Sequence, residues 1–247
     1  MLSTPRYISN SFSVIFPRQQ DIRRKANALE DKLINSYSQP QIFPIPDDMD
    51  AEVPRIIFGS RHGFSQIVIS QVSCSLNVTY SPDWQLHSEK GKEYLLERAS
   101  LLFDLLRIAG INKISFSGLA TQVNLPSDES EAAIISHVAQ KLLKDENTID
   151  LHDIEVKRTH IVDGKYFSNM VIANYRSWQV ESLPTGVLSL SRGKATERGV
   201  RVTCDFNDRY SYNETEGYTT KQSSANTIIM SGLEAVQRIV TDLEKTQ

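Results

Sequence analysis

Cysteine is scarce in this chain, long apolar runs are missing, and neither sign of charge is in excess. The 247 residues include only two cysteines, Cys74 and Cys204, each at an inward-pointing strand position among valines, leucines and aromatics. That setting reads as a buried thiol, against a disulfide or a metal site. No apolar run approaches the ~20 residues a bilayer-spanning helix needs. Met1-Leu2-Ser3-Thr4-Pro5 has no basic segment followed by an apolar one, so a cytoplasmic location with no membrane contact is expected. A net charge of -3 and a pI near 6.0 leave no electrostatic footprint for nucleic acid.

Catalytic spacings are missing as well. The five histidines, His62, His87, His137, His152 and His160, form neither His-x-x-x-His nor His-Glu-x-x-His. His152 and His160 are eight residues apart on or beside one strand, about 26 Å at ~3.3 Å per residue, so one ion cannot bridge them. There is no Gly-x-Ser-x-Gly, and neither cysteine has a basic neighbour on its own strand face. Gly59-Ser60-Arg61-His62-Gly63 lacks the Gly-Lys-Ser/Thr ending of a phosphate loop and reads as a hairpin loop. Asp205, Asp208, Glu214 and Glu216 gather carboxylates where a strand ends, without the offsets of a calcium loop. With Arg201, Thr203, Asp205 and Asn207 on one side of that strand, a polar outer sheet face with Arg201 near Asp205 is the plain reading. No catalytic, cofactor-binding or metal-binding residue is therefore assigned.

What the chain does have is apolar residues, 40% of the total, enough for a sizeable core, and they recur periodically. Phe12, Val14 and Phe16 alternate as a first strand closed by Pro17. Ile22, Ala26, Leu29 and Leu33 give an amphipathic helix over 19–37, with Arg23-Arg24-Lys25 on its solvated side. Residues 39–54, with four prolines and Asp47-Asp48-Met49-Asp50, read as a mobile connector and, beside 192–199, as the first site of proteolysis. Residues 55–58 and 67–80 form a hairpin whose apolar phase slips by one around Ser70-Gln71, the trace of a bulge or of a strand that ends and restarts. A helix over 93–108 stops at Gly110, a strand follows over 111–125, and Ser127 to Ser130 cap another helix. Asp163-Gly164 turns a second hairpin, 186–192 reads as a short strand, and 200–206 alternates strictly. The last helix carries Ile229, Leu233, Val236, Val240 and Leu243 at spacings of four, three, four and three.

Val72–Tyr80 and Val200–Asp208 each form a hairpin's second strand, carry a cysteine, and run through a polar connector into a long helix. The fold class is therefore α+β, with two similar antiparallel sheet plus long-helix halves, 1–150 and 151–247, suggesting internal duplication and packed as one unit. The segment order, the length, and the phrase Gly91-Lys92-Glu93-Tyr94-Leu95-Leu96-Glu97-Arg98 after Tyr80 and Trp84 resemble a sporadically distributed family of uncharacterised bacterial α+β proteins. That resemblance covers most of the chain and implies no site residues. The four strands and long helix after Leu151 are also similar in outline to the SecB-like chaperone fold and the helix-grip folds.

Two functions are left to weigh. One is a non-enzymatic intracellular protein-interaction or adaptor protein, a component of a bacterial multi-gene system, working through a sheet edge or a helix face. For it, Leu233, Val240 and Leu243 are the candidate partner-binding residues, in a homodimer flanked by Glu234, Arg238, Asp242 and Lys245. The alternative is a small-ligand-binding or catalytic domain with a cavity between a curved sheet and the long helix, lined by Phe206, Tyr175 and Trp178.

Overall fold

The computed structural model describes residues 2–144, 148, 150–179, 190 and 195–245. Strand β1 (Arg6–Ile15) turns Asn10, Phe12 and Val14 inward and Ser9, Ser11 and Ser13 outward. Its helical successor is shorter than the periodicity suggests. A 3-10 turn, Ile22–Lys25, leads into α1 (Ala26–Leu33), and Ile22, Ala26, Leu29 and Leu33 are buried. β2 (Gln41–Ile42) pairs with β3 (Ile56–Gly59). β4 (Ser65–Ile69) and β5 (Ser73–Thr79) are separate strands, so the phase slip is an end and a restart. Ser70 holds the break: its Oγ accepts from the backbone N–H groups of Val72 and Ser73 at 3.1 and 2.9 Å.

After the single turn α2 (Pro82–Gln85), α3 (Ser88–Ile108) begins five residues earlier than its apolar stripe suggests and ends at Gly110, whose φ of 78° suits a residue without Cβ. β6 (Phe116–Pro126) precedes α4 (Glu131–Leu143), where Ser130 Oγ accepts the Ala133 N–H at 3.3 Å as the N-cap. β7 (Glu155–Val162) and β8 (Tyr166–Ser177) are joined through Asp163 and Gly164, both at positive φ as a two-residue hairpin turn requires. β9 (Glu197–Asn207), α5 (Arg209–Glu214) and α6 (Gln222–Glu244) complete the chain. The short strand expected over 186–192 lies outside the described residues, apart from Leu190. Among the described residues no helix is long and apolar enough to cross a membrane.

The architecture is α+β, with one antiparallel sheet in place of the two expected. Its order is β2-β3-β4-β5-β1-β6-β9-β8-β7. The join is β1 against β6, which pair from Ile15/Phe116 to Arg6/Asn124 with one register shift near Tyr7. On either side of that join the order β1-β5-β4-β3 is mirrored by β6-β9-β8-β7.

The large helices pack on one face: α3 on β5 and β1, α6 on β6 and β9, α4 on β9 and β8, and α1 against α3. One buried apolar cluster runs beneath them from Phe12 to Leu243. Gly232 lets α6 touch the sheet directly, because a Cβ there would stand 3.1 Å from both Leu119 Cδ2 and Phe206 Cβ. The other face is left without a long helix.

The expected mobile connector is instead fastened along its length. Arg18 donates to the carbonyls of Asp47 and Met49 at 2.6 and 3.2 Å, Gln71 to that of Asp47 at 3.1 Å, and Arg23 pairs with the Asp47 carboxylate at 2.7 Å. Fully buried Arg55 donates to Val53, Asp50 and Pro46. Prolines withdraw donors from this segment, and arginines from elsewhere satisfy its carbonyls.

Candidate functional site

The face without a long helix can be read strand by strand, because antiparallel partners point the same way. One row crosses the sheet as Gln66, Asn77, Ser11, Ala120, Asp205, Asn169 and Thr159. Its neighbour runs Val68, Ser75, Ser13, Gly118, Asn207, Phe167 and Ile161. Ser9, Thr79, Gln122 and Thr203 extend a third. Over β4, β5, β1 and β6 these three rows contain no charged side chain and nothing larger than valine or glutamine.

Side chains in these rows bond to one another. Ser11 Oγ donates to Asn77 Oδ1 at 2.7 Å, and the hydroxyls of Ser13 and Ser75 are 2.7 Å apart. Thr159 Oγ1 donates to Asn169 Oδ1 at 2.9 Å, and Asn169 Nδ2 donates to Asp205 Oδ2 at 3.1 Å. Asn207 Nδ2 reaches the same carboxylate at 3.0 Å. Hydroxyls and amides both donate and accept, so over β4, β5, β1 and β6 the face offers a hydrogen-bonding pattern without the desolvation cost of charge.

The rim differs. At one end Phe116 meets Tyr212, Phe167 meets Tyr210 edge-on, and the Arg209 guanidinium lies over Phe116. At the other, Tyr175 donates to Glu197 at 2.8 Å, Arg6 pairs with the same carboxylate, and Arg201 lies over the Tyr175 ring while its Nε donates to Asn124 at 3.2 Å. Burial pushes the Tyr175 phenol up, and the bond to Glu197 and its charge push it further.

Arg201, Thr203, Asp205 and Asn207 do share this face, but Arg201 and Asp205 are not partners. Four residues along a strand is about 13 Å, and amides hold the carboxylate. Asp205 and Asp208 diverge: Asp205 is exposed on the open face, whereas Asp208 is fully buried. Phe206 lies under α6 and Tyr175 on the opposite face, so the residues proposed to line one cavity are divided by the sheet; Trp178, half-buried, follows β8. Val240 and Leu243 are 0% and 1% exposed in the chain's own core, so they are closed to a partner, and Leu233 is half-buried against the same core. His137 contacts the Leu243 carbonyl at 2.9 Å. Among the described residues no group of three His, Cys, Asp or Glu could hold a metal ion.

The outward rows escape a reading of apolar phase alone, which follows Phe12, Cys74 and Leu76 inward. Their signal is the other phase: Ser9, Ser11, Ser13 on β1 and Ser73, Ser75, Asn77 on β5, outward positions that carry no charge.

Burial pushes both thiols, Cys74 and Cys204, from an ordinary 9.0 up to about 12, and the Tyr37 and Tyr80 phenols from 10.0 up to about 12. Groups whose native pKa is raised stabilise fully below their unfolded values, and that contribution is lost as pH climbs toward the folded ones. Stability is therefore expected to hold up to about pH 9 and fall between 9 and 12, with both thiols resisting alkylation until the chain unfolds. Denaturant titrations with a thiol-reactive dye across that range would show it, and a thiol that reacts in the native state at neutral pH would contradict it. No protein-family model and no curated protein matches the chain.

Proposed function

We propose that the chain is a non-enzymatic intracellular protein-interaction protein, a binding or adaptor component, which takes a protein partner on the open face of its sheet. One observation carries the reading: the charge-free hydroxyl and amide rows of β4, β5, β1 and β6, framed by aromatic and charged side chains. Depletion of charge is one mark of an interface core, and the uncharged centre of this face shares it. An ordinary solvated sheet face would intersperse lysines and glutamates. The partner's patch is correspondingly uncharged and rich in hydrogen-bonding groups.

Two alternatives are weakened by the same geometry. Gly232 seats α6 on Leu119 and Phe206 and leaves no room for a ligand there. Central rows without cations over four strands suit a protein better than a phosphate backbone. The mirrored strand order supports divergent duplication of a strand, helix, three-strand, helix unit as the origin of the platform.

The test is affinity capture from the native source, followed by direct binding of the captured partner to purified variants. Ala120→Arg places a cation in the middle of the rows, while Glu234→Arg alters exposed α6 on the other side. Loss of at least about tenfold in affinity for the first, with the second unchanged, is expected, since a buried unpaired charge costs more than 1.4 kcal/mol. Equal binding by both would remove the open face from the function.

A further inference from the structure

We propose that two copies of the chain pair β7 against β7 about a twofold axis centred on Val156, continuing the sheet from one copy into the other. This stands independently of what the open face binds.

The two sheet edges differ. β2 is two residues long, with Pro40 and Pro44 close by, which blunts it. β7 has eight residues, and among the described residues no strand lies beyond it. Its inner ladder uses even-numbered residues: the Asn174 N–H donates to the Ile154 carbonyl at 3.2 Å, in register with Glu155/Ala173. By alternation, Glu155, Lys157, Thr159 and Ile161 direct their N–H and C=O groups away from the sheet.

Charged side chains on an edge usually deter pairing. Here they are self-complementary in one register. An antiparallel twofold centred on Val156 sets Glu155 opposite Lys157 of the second copy, and Lys157 opposite the second copy's Glu155. Leu151 precedes β7 by four residues, and if those residues run on extended from the strand the same register carries it opposite Ile161, twice. Leu151 and Ile161 are 40% and 54% exposed in the single chain, large apolar side chains that a monomer leaves in water. Centring the pairing on Thr159 instead would bring Glu155 against Asp163, which like charges disfavour. Arg158 donates to the Leu142 carbonyl, which brings the last turn of α4, with exposed Leu143, to this strand.

Sedimentation velocity on the full chain tests this, with Glu155→Lys, Lys157→Glu, and an equimolar mixture of the two. Both side chains are exposed, so circular dichroism should show each variant folded. Wild type should sediment as a dimer. Each single variant meets like charge at two symmetric positions and should weaken dimerisation at least about tenfold. The mixture should recover it, since in a mixed pair one chain brings lysine to both edge positions and the other brings glutamate to both, so every facing pair is again opposite in sign. A monomeric wild type, single variants that dimerise unchanged, or a mixture that stays monomeric would each overturn the pairing; so would an edge filled by an extended peptide of another protein.

Discussion

Asp208→Ala is expected to cost about 3–5 kcal/mol of folding stability, the loss associated with breaking a buried charged network. The carboxylate is fully buried and sits where β9 gives way to α5. Its Oδ1 accepts the backbone N–H of Ser117 at 2.7 Å, and its Oδ2 accepts the hydroxyls of Tyr218 and Thr220 at 2.8 and 2.6 Å. One side chain thus ties the start of β6 to the segment that leads into α6. With alanine, all three donors lose their acceptor, at about 1–3 kcal/mol each less what entering water returns. Asn keeps an oxygen for Ser117 and presents an amide that the two hydroxyls can accept, so Asp208→Asn should lose only about half as much. Burial, then the Asp208 bond and charge, pushes the Tyr218 phenol up; removing the carboxylate should lower the pH at which that tyrosine ionises. Urea midpoints and an ultraviolet phenol titration measure both effects, and an alanine variant within about 0.5 kcal/mol of wild type would show the node to be dispensable.

Local signals carried the elements whose causes are local. Asp163-Gly164 marks its hairpin because both residues adopt positive φ, Ser130 marks the start of α4 through its own side-chain bond, and the four-three spacing of Ile229 to Leu243 marks α6. What local pattern does not contain is the pairing of β1 with β6, about a hundred residues apart, which turns two expected sheets into one. The stripe of the last helix is taken up by the chain's own core for a related reason. Val240 and Leu243 have the spacing of a helix-to-helix seam, but β6 and β9 lie beneath that stripe and Gly232 admits the helix to them. The candidate face was half legible: Arg201 to Asn207 were placed on a common outer side, whereas the uncharged serine rows gain meaning only when β5, β1 and β6 lie next to one another. Proline content made the connector look loose. The arginines that hold it come from both sides of it in the chain, and nothing in their own neighbourhoods marks them as its clamps.

Arg55 is the strongest of these clamps, and Arg55→Met is expected to lose about 2–3 kcal/mol and to release the connector to proteases. Removing a buried charge does not always destabilise, because the desolvation penalty disappears with it. Here Arg55 is 0% exposed and has no carboxylate partner among the described residues, so the charge carries that penalty in full. Against it stand two well-formed bonds, to Val53 O at 2.7 Å and Asp50 O at 3.1 Å, and a long one to Pro46 O at 3.4 Å. Hydrogen bonds to a charged donor are worth about 1.5–3 kcal/mol each, so the two good ones outweigh the relief of desolvation. Met fills the stem's volume and rules out a cavity as the cause. Lysine keeps the charge, but its single ammonium cannot span three carbonyls as a guanidinium fork does, so Arg55→Lys should fall near the Met variant. The released carbonyls can find water once the segment lifts, which makes local opening the cheaper response. Wild type should therefore resist cleavage within 39–54, and the Met variant should be cut there before it unfolds globally. A wild-type chain cut first in that segment, or a Met variant more stable than wild type, would mean that the arginine is tolerated by the connector and does not hold it.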